Sequence, residues 1–314
     1  MNRRTRLVVN PRAGGGVTAS RLRAIEAAAH EVFGACDCVT TNAPDHATAL
    51  TRQAVADGVE LVVAVGGDGT ANEVVNGLVS HGENHAPGVV FGLVNAGTGG
   101  DLVKTLGVPA GLREAMTFLR DAVPRPTDVL DVKLTGNDGA PLRRACINVA
   151  GFGMQGEVVR RANAGSKRFG GRATFLGATL RTVLDYRPTP VRLSWTDADG
   201  VEDSWEGALS SAFVANGHYC GGGMWVGRGG SIRDGLVDVT VLPSLPLIRL
   251  ALGVPRLFTG TIAQVPGVHS RRVQHLVALS RSESKVLVDL DGEQAGVLPV
   301  EIEVMPSILL VAGQ

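Results

Sequence analysis

Apolar runs alternate with amphipathic stretches over roughly the first 125 residues of the chain. Four short apolar runs end at polar or glycine residues and predict β-strands, at 6–10, 36–41, 61–65 and 88–95. Three stretches between these runs carry apolar residues at helical spacing and predict helices, at 17–34, 43–58 and 70–82. Apolar strands that alternate with helices are typical of a parallel sheet covered on both faces. The pattern therefore predicts an α/β domain.

The pattern changes near residue 126. Beyond it, short β-rich segments such as "VLDVKLTG" and "PVEIEVMP" are separated by turns, which is typical of an antiparallel sandwich. We therefore predict two domains, an α/β domain over residues 1–126 and a β-rich, sandwich-like domain over residues 127–314. The final residues are expected to pack back on the first domain.

Composition narrows the class of protein. Basic and acidic residues both number 30, so no net charge points to a nucleic-acid partner. The four cysteines are too few and too scattered for a disulfide scaffold in a chain of 314 residues. No stretch reaches the roughly 20 apolar residues that a membrane-spanning helix needs, because the best candidate, 241–258, contains three prolines and Arg249. We therefore expect a cytoplasmic protein, with a peripheral contact on the inner membrane face left open.

Three glycine-bearing loops follow predicted strands. "NPRAGGG" follows the first strand, "GGDGTAN" the third and "NAGTGGD" the fourth. The carboxyl ends of parallel strands meet at one edge of a sheet, where ligands bind, so these loops are expected to converge. Each loop exposes backbone N–H groups, and two of the loops lead into helix N-termini that suit an anion, so together they favour a phosphate-rich ligand over purely structural turns. A P-loop is excluded because Gly-Lys-Ser/Thr is absent, and "GDGTAN" lacks the third glycine of the dinucleotide fingerprint.

Asp68 and Asp101 lie in two of these loops, where a bound phosphate would repel them. A carboxylate about 4 Å from one phosphate charge costs about 4 kcal/mol at an effective dielectric near 20. A divalent cation between the two reverses the sign, and Mg²⁺ binds in this way through carboxylates, phosphate oxygens and water. The alternative is that either aspartate only caps the helix after it, and this alternative is stronger for Asp101 than for Asp68.

Taken together, the motifs resemble the diacylglycerol kinase catalytic-domain family of lipid kinases, relatives of the sphingosine and ceramide kinases. The resemblance covers nearly the whole chain. Its motifs are "NPRAG", "GGDGTANEVVNGL", "AGTGGDL", "VANGHYCGGGMWVGRGGSIRDGLVDVTVLP" and "VDLDGEQAG". "GGDGT" alone is shared with NAD kinases, whereas the glycine-rich segment of the second domain followed by Asp-Gly-Glu selects the lipid kinases. The resemblance implies an ATP- and Mg²⁺-dependent lipid kinase whose active site lies between the two domains.

The resemblance also implies roles for single residues. Glu293 matches the family's general base, which takes the proton from the lipid hydroxyl, and Asp68 and Asp101 would organise Mg²⁺ and the phosphates. The residues expected along ATP are Asn10, Pro11, Arg12, Ala13, Gly14, Thr40, Gly66, Gly67, Asp68, Gly69, Thr70, Ala71, Asn72 and Thr98. A second, structural Mg²⁺ site would consist of the Asp234 side chain and backbone oxygens of Ser231 and Leu236. Without the resemblance, Asp-Gly-Glu is an ordinary hairpin turn.

The chain departs from the family pattern at two positions of the loop after the fourth strand, and "WVGRGGS" also lacks a proline that is often found before the structural metal site. Asn95 stands where the family commonly has proline, and Gly100 stands where it commonly has asparagine. The missing asparagine leaves open a catalytically weak or inactive protein that binds lipid or nucleotide. A kinase for a soluble substrate, of the NAD-kinase type, is a further alternative, against which the motifs of the second domain argue.

The expected partner is a lipid substrate, with diacylglycerol as the default acceptor. A basic run between residues 158 and 184 and the apolar segment 245–258 leave a peripheral membrane contact open. A solvated face is an equally weighted interpretation of the first segment, and a buried helix of the second domain is the preferred interpretation of the second. A homodimer is also left open.

Overall fold

The computed structural model of the protein describes residues 3–97, 100–165, 171–227 and 229–313. Contacts within the chain divide it into two units. The first unit comprises Met1–Thr127 together with Ser307–Gln314, and the second comprises Asp128–Pro306. The end of the chain therefore belongs to the first unit.

The first unit is a parallel sheet flanked by helices, which confirms the predicted α/β class. Its strands are β1 (Thr5–Val9), β2 (Cys36–Thr40), β3 (Leu61–Gly66) and β6 (Val90–Asn95), and β4 (Val79–Ser80) and β5 (Glu83–Asn84) form a small antiparallel hairpin. Its helices are α1 (Val17–Ser20), α2 (Leu22–Phe33), α3 (His46–Ala56), α4 (Asp68–Leu78), α5 (Asp101–Thr105) and α6 (Leu112–Asp121), and a 3₁₀ turn spans Ala13–Gly16.

The strands of this sheet are out of sequence order. β1 lies between β2 and β3, and β3 pairs with β6, all in parallel. The last strand of the chain, β17 (Glu293–Val311), ends beside β6, with Leu310 opposite Val90 and Val311 opposite Phe91. This pairing is also parallel.

Helices cover both faces of the sheet. Every residue of β3 is buried, and a continuous apolar run of this kind is what a strand needs when both of its faces are covered. α2 packs against α6, and α3 packs against α4. A Cβ atom on Gly77 of α4 would lie only 2.5 Å from Cβ of Thr51 on α3, so this glycine allows the two helices to approach closely.

The predicted helix over 17–34 is in fact two helices, because α1 ends at Ser20 and α2 begins at Leu22. The first of them is tied to the glycine loop before it. The Thr18 hydroxyl lies 3.1 Å from the carbonyl oxygen of Ala13 and 3.3 Å from that of Ala96. The short helix therefore belongs structurally to the loop.

The second unit is a mainly antiparallel β structure, which confirms the predicted β-rich class. Its strands are β7 (Arg125–Gly136), β8 (Pro141–Cys146), β9 (Val149–Gly153), β10 (Thr189–Asp197), β11 (Glu202–Ala215), β12 (Tyr219–Cys220), β13 (Met224–Trp225), β14 (Val237–Pro243), β15 (His269–Ser280), β16 (Leu287–Leu290) and most of β17. The order β10, β15, β14, β11, β9, β16, β17 runs across its main sheet. Its apolar core contains fully buried residues such as Leu130, Phe152, Leu193 and Leu276.

Three helices interrupt these strands: α7 (Met154–Ala164), α8 (Gly171–Asp185) and α9 (Leu247–Phe258). The last corresponds to the apolar segment 245–258. Gly253 of α9 is buried, whereas the side chains of Val254 and Phe258 are 44% and 53% exposed. Among its described residues, this helix therefore has both buried and exposed positions. Among the helices that the structure describes, none combines the length and the apolar character that a bilayer crossing requires.

Candidate functional site

The three glycine loops of the first unit lie in backbone contact at the carboxyl ends of β1, β3 and β6. A Cβ atom on Gly14 would come within 2.7 Å of the carbonyl oxygen of Ala96, and one on Gly97 within 2.9 Å of Cα of Gly67. Gly14 also has a positive φ of 62°, which L side chains rarely adopt. Glycine at these positions is what lets the loops meet.

A hydrogen bond between polar side chains connects the loop after β1 to the segment after β3. Nδ2 of Asn10 donates to the Thr70 hydroxyl at 3.0 Å, and Oδ1 of Asn10 accepts the backbone N–H of Arg12 at 2.9 Å. A Cβ atom on Gly66 would overlap the Thr70 side chain, so the loop after β3 needs glycine for this contact. Asn10 therefore holds the loop after β1 against the first turn of α4. The Arg12 side chain in the same loop is exposed.

Asp68 links the loop after β3 to the loop after β6. It is the first residue of α4 and is half-buried. Its two oxygens accept the backbone N–H groups of Asp101 and Leu102, at 3.3 and 3.2 Å. Asp68 thus stabilises the start of α5, whereas the capping alternative for this residue concerned α4.

Asp101 has a different environment from Asp68. Its side chain is only 3% exposed, and one of its oxygens lies 2.8 Å from Nζ of Lys104 on the next turn of α5. Gly100, rather than Asp101, is the N-cap residue of α5, and it has no side chain to cap with. Lys104 is therefore the described ionic partner of Asp101.

The chemistry of the two aspartates fits a metal that is shared with a phosphate. Within the described ranges, no group of three or more His, Cys, Asp and Glu side chains is arranged to hold a metal ion. Mg²⁺ commonly takes one or two carboxylates and completes its six ligands with phosphate oxygens and water. Asp68, a half-buried carboxylate at the meeting point of the loops after β3 and β6, is of the residue type that such a shared site uses.

Among the other residues expected along ATP, Pro11 in the loop after β1 and Gly69 in the first turn of α4 are both half-buried. Thr40 is exposed at the carboxyl end of β2, on the same edge as the glycine loops. Ala71 and Asn72 are fully buried in α4, where Oδ1 of Asn72 accepts Nδ2 of Asn76 at 3.1 Å. Their side chains therefore stabilise the helix that follows the loop. Thr98 lies outside the described residues.

In the second unit, the Asp-Gly-Glu segment forms a turn that buried hydrogen bonds hold in place. Asp291 and Gly292 both have positive φ angles, 51° and 86°, as a two-residue hairpin turn requires. The buried carboxylate of Asp291 accepts the backbone N–H groups of Ile147, Asn148 and Val149 at 2.9 to 3.0 Å. The Cys146 thiol also lies 3.1 Å from this carboxylate. This turn is thus fixed far more firmly than an ordinary hairpin.

Glu293 follows this turn and is 37% exposed. Both terminal nitrogens of Arg144 on β8 lie 3.4 Å from one of its carboxylate oxygens. The sequence gives no signal for this pair, because the two residues are 149 positions apart. Glu293 therefore offers a reachable carboxylate on a rigid turn with an arginine beside it.

The segment Ser231 to Leu236 does not fit a metal site as the structure describes it. The Asp234 carboxylate accepts the backbone N–H groups of Ser231 and Leu236 at 2.9 and 3.2 Å, and Arg272 donates to it from β15 at 2.5 Å. Three N–H donors therefore already occupy the one side chain that would bind Mg²⁺. A cation added beside the guanidinium would be repelled by it.

Comparison with known proteins covers both units. The profile of the diacylglycerol kinase catalytic domain matches residues 4–132, and that of the YegS C-terminal NAD kinase beta sandwich-like domain matches residues 148–313. A "Probable lipid kinase YegS-like" of Xanthomonas euvesicatoria pv. vesicatoria is 33% identical over 259 residues, which cover 82% of this chain and 80% of the relative. The "Diacylglycerol kinase" of Bacillus subtilis is 28% identical over 310 residues, which cover 95% of this chain and 92% of the relative.

Solved structures show the same fold. The crystal structure of a diacylglycerol kinase from Bacillus anthracis str. Sterne superposes with a TM-score of 0.75 at 23% identity, over 99% of this chain and 97% of that chain. The fold and the two profile matches agree with the motifs that carried the resemblance. The chain therefore belongs to the family of lipid kinases that combine a diacylglycerol kinase catalytic domain with a YegS C-terminal domain.

Proposed function

We propose that this kinase transfers the γ-phosphate of ATP to a hydroxyl group of a lipid in a Mg²⁺-dependent reaction, with diacylglycerol as the default acceptor. The observation that carries the proposal is the meeting of three glycine loops around Asp68, at the edge of the parallel sheet where ligands bind. This combination offers backbone donors for phosphates and a carboxylate for a cation.

The first unit would bind the nucleotide. The N-terminus of α4 carries a partial positive charge that favours an anion, and the exposed Arg12 guanidinium can pair with phosphate oxygens. Asp68, with Asp101 near it, would hold Mg²⁺ together with the phosphates. When bound, the metal supplies positive charge that stabilises the phosphoryl group during transfer.

The second unit would supply the general base. The Glu293 carboxylate would accept the hydroxyl proton while the lipid oxygen forms its bond to the γ-phosphorus and the bond between that phosphorus and the β–γ bridging oxygen breaks, which releases ADP. Asp291 would keep the turn that carries Glu293 in place through its buried hydrogen bonds. Arg144 would hold the Glu293 side chain in one orientation.

The decisive experiment is phosphoryl transfer from labelled ATP to a total lipid extract, followed by identification of the labelled product by mass. We expect a lipid-soluble product with the wild-type protein and its loss, by at least about a hundredfold, in Glu293→Gln, because general-base catalysis is typically worth 10²- to 10⁴-fold. Glu301→Gln is a matched control, since Glu301 lies on the same strand and is 40% exposed, close to the 37% of Glu293. If no lipid becomes labelled with any acceptor, the proposal is wrong.

The nucleotide half of the proposal has its own test. Asp68→Asn should abolish transfer and weaken the binding of ATP in the presence of Mg²⁺, while Glu293→Gln should leave that binding unchanged. Calorimetric titration with and without Mg²⁺ separates the two effects. A labelled product that stays in the aqueous phase would instead support a kinase for a soluble substrate.

A lipid acceptor also requires access to a membrane surface, and we propose that α9 provides it. Val254 and Phe258 expose apolar surface, and Arg249 and Arg256 are exposed on the same helix. The basic run between residues 158 and 184 supports this role less. Three of its arginines are already paired with acids, as Arg160–Glu157, Arg161–Glu157, Arg161–Asp185 and Arg181–Asp185, while Lys167, Arg168 and the side chain of Arg172 lie outside what the structure describes.

Sedimentation with vesicles tests this contact. We expect the protein to bind phosphatidylcholine vesicles more tightly when they contain phosphatidylserine, and Phe258→Ser to weaken that binding. Leu279→Ser is a matched control, because Leu279 is 39% exposed and belongs to β15 rather than to α9. Equal binding of both variants would remove α9 from the proposal without affecting the proposed kinase activity.

A further inference from the structure

The turn before β14 is built around one carboxylate, that of Asp234. Each of its two oxygens accepts a backbone N–H from the turn itself, Oδ2 from Ser231 and Oδ1 from Leu236. A second aspartate stabilises the same turn from β7, because Oδ2 of Asp128 accepts the N–H of Gly235 at 2.8 Å. The turn is therefore organised by N–H donors that point at carboxylates.

The guanidinium of Arg272 lies between two acids at this turn. One of its terminal nitrogens contacts Oδ2 of Asp234, and its Nε lies 3.6 Å from Oδ1 of Asp238. Arg272 is on β15, directly opposite Asp238 on β14 in the strand register. One side chain thus connects the turn to the strand that follows it.

The chain makes room for this guanidinium at Gly230. A Cβ atom on Gly230 would lie 2.9 Å from a terminal nitrogen of Arg272 and 3.2 Å from Oδ2 of Asp238. Any larger residue would therefore push the arginine away from the acids. The Asp238 side chain is only 5% exposed, so it needs a positive charge close by.

We propose that the Arg272 guanidinium serves as the built-in cation of this turn and takes the place of the structural Mg²⁺ that the family resemblance implies for Ser231, Asp234 and Leu236. An arginine is permanently charged and its planar donors match carboxylate oxygens, so it can hold two acids without a metal. The second unit then folds without a divalent ion at Asp234. This inference does not depend on the proposed kinase activity.

The first test measures the thermal unfolding of the nucleotide-free protein in EDTA and in millimolar MgCl₂. We expect wild type and Asp234→Asn to respond equally to Mg²⁺. A stabilisation by Mg²⁺ that is present in the wild type and lost in Asp234→Asn would overturn the proposal, because it would place the ion at this carboxylate. A response that both proteins share arises elsewhere in the chain and agrees with the proposal.

The second test removes the guanidinium. Arg272→Met should lower the melting temperature in EDTA by about 2–4 °C, the shift that a loss of about 1 kcal/mol produces in a unit of this size. Arg271→Met is the matched control, since Arg271 is the adjacent residue on β15 and its guanidinium donates only to the carbonyl oxygen of Ser270 among the described contacts. Equal melting temperatures for the two variants would overturn the proposal.

Discussion

At the scale of single residues, Asn95 and Gly100 share one small space in the loop after β6. A Cβ atom on Gly100 would overlap the side-chain amide of Asn95, and Gly100 has a φ of 69°. The other end of that amide, Oδ1, accepts the N–H of Gly97 at 3.0 Å. The two departures from the family pattern are therefore linked, because Asn95 occupies the space where a side chain at position 100 would begin.

This link changes the expected effect of restoring the family residue. Gly100→Asn alone should lower kcat/KM by about tenfold or more, because the new side chain displaces Asn95 and moves a phosphate-binding loop. The double variant Asn95→Pro with Gly100→Asn should recover most of the activity. Steady-state kinetics of the two single variants and the double variant measure the coupling. Activity at or above the wild-type level in Gly100→Asn alone would contradict the shared-space interpretation.

Asp291 is predicted to act on stability as well as on activity. Asp291→Asn replaces one acceptor oxygen by an NH₂ group that faces backbone N–H donors, so at least one buried donor loses its partner. We expect the free energy of unfolding to fall by about 1–3 kcal/mol. Urea unfolding measures this change. Glu293→Gln is the control, since it should abolish activity while leaving the unfolding midpoint unchanged.

The sequence could predict only part of the candidate site. The glycine loops and Asp68 stand out locally, because glycines cluster around an acid directly after an apolar strand. The pairs Arg144–Glu293 and Arg272–Asp234 join residues that are 149 and 38 positions apart, so nothing near either residue marks them. The buried donors around Asp291 are equally distant in sequence. Side-chain partners that depend on tertiary packing leave no local pattern.

At the scale of elements, β16 carries a buried acid whose protonation should make stability depend on pH. Burial raises the pKa of Asp289 to about 8. Below the ordinary aspartate pKa of about 4, both the folded and the unfolded chain hold this proton. Between that value and about 8, only the folded protein keeps it, so the free energy of unfolding falls by about 1.4 kcal/mol per pH unit. Above this window the loss is complete.

Asp289→Asn removes this dependence, because an amide does not titrate. The variant should therefore gain stability relative to the wild type as the pH rises from 5 to 9, in melting curves recorded at each pH. Asp203→Asn is the control, since Asp203 is exposed on β11 and its substitution should leave the pH profile unchanged. Parallel profiles for Asp289→Asn and the wild type would mean that Asp289 is ionised in the folded protein.

The elements also differ in how far the sequence predicts them. The parallel strands were predictable, because a strand covered on both faces must be apolar throughout. α7 and α8 were not predicted, although Glu157 and Arg161 of α7 form an ion pair at the (i, i+4) spacing that supports a helix. Helical periodicity of apolar residues is weak in both segments, and strong β patterns flank them on either side.

At the scale of the whole molecule, the first unit is assembled from two distant parts of the chain. Residues 1–127 supply four parallel strands, and the fifth position in the sheet is filled by the end of β17. Leu309, Val311 and Ala312 are almost fully buried there, and Nδ2 of Asn84 donates to the carbonyl oxygen of Ile308 at 2.6 Å. Without this segment, β6 would present an unpaired apolar edge.

We therefore predict that a fragment of residues 1–127 aggregates, because its β6 edge is exposed to other copies. The same fragment joined to residues 307–314 through a flexible linker of about a dozen residues should be monomeric and unfold cooperatively, since a linker of that length permits a parallel crossover. Size-exclusion chromatography and thermal melting compare the two. A tail that carries Leu309→Ser and Val311→Ser serves as the control and should fail to rescue, because these two buried side chains supply the apolar contact. A bare fragment that is as soluble and stable as the tailed one would show that the first unit does not need the end of the chain.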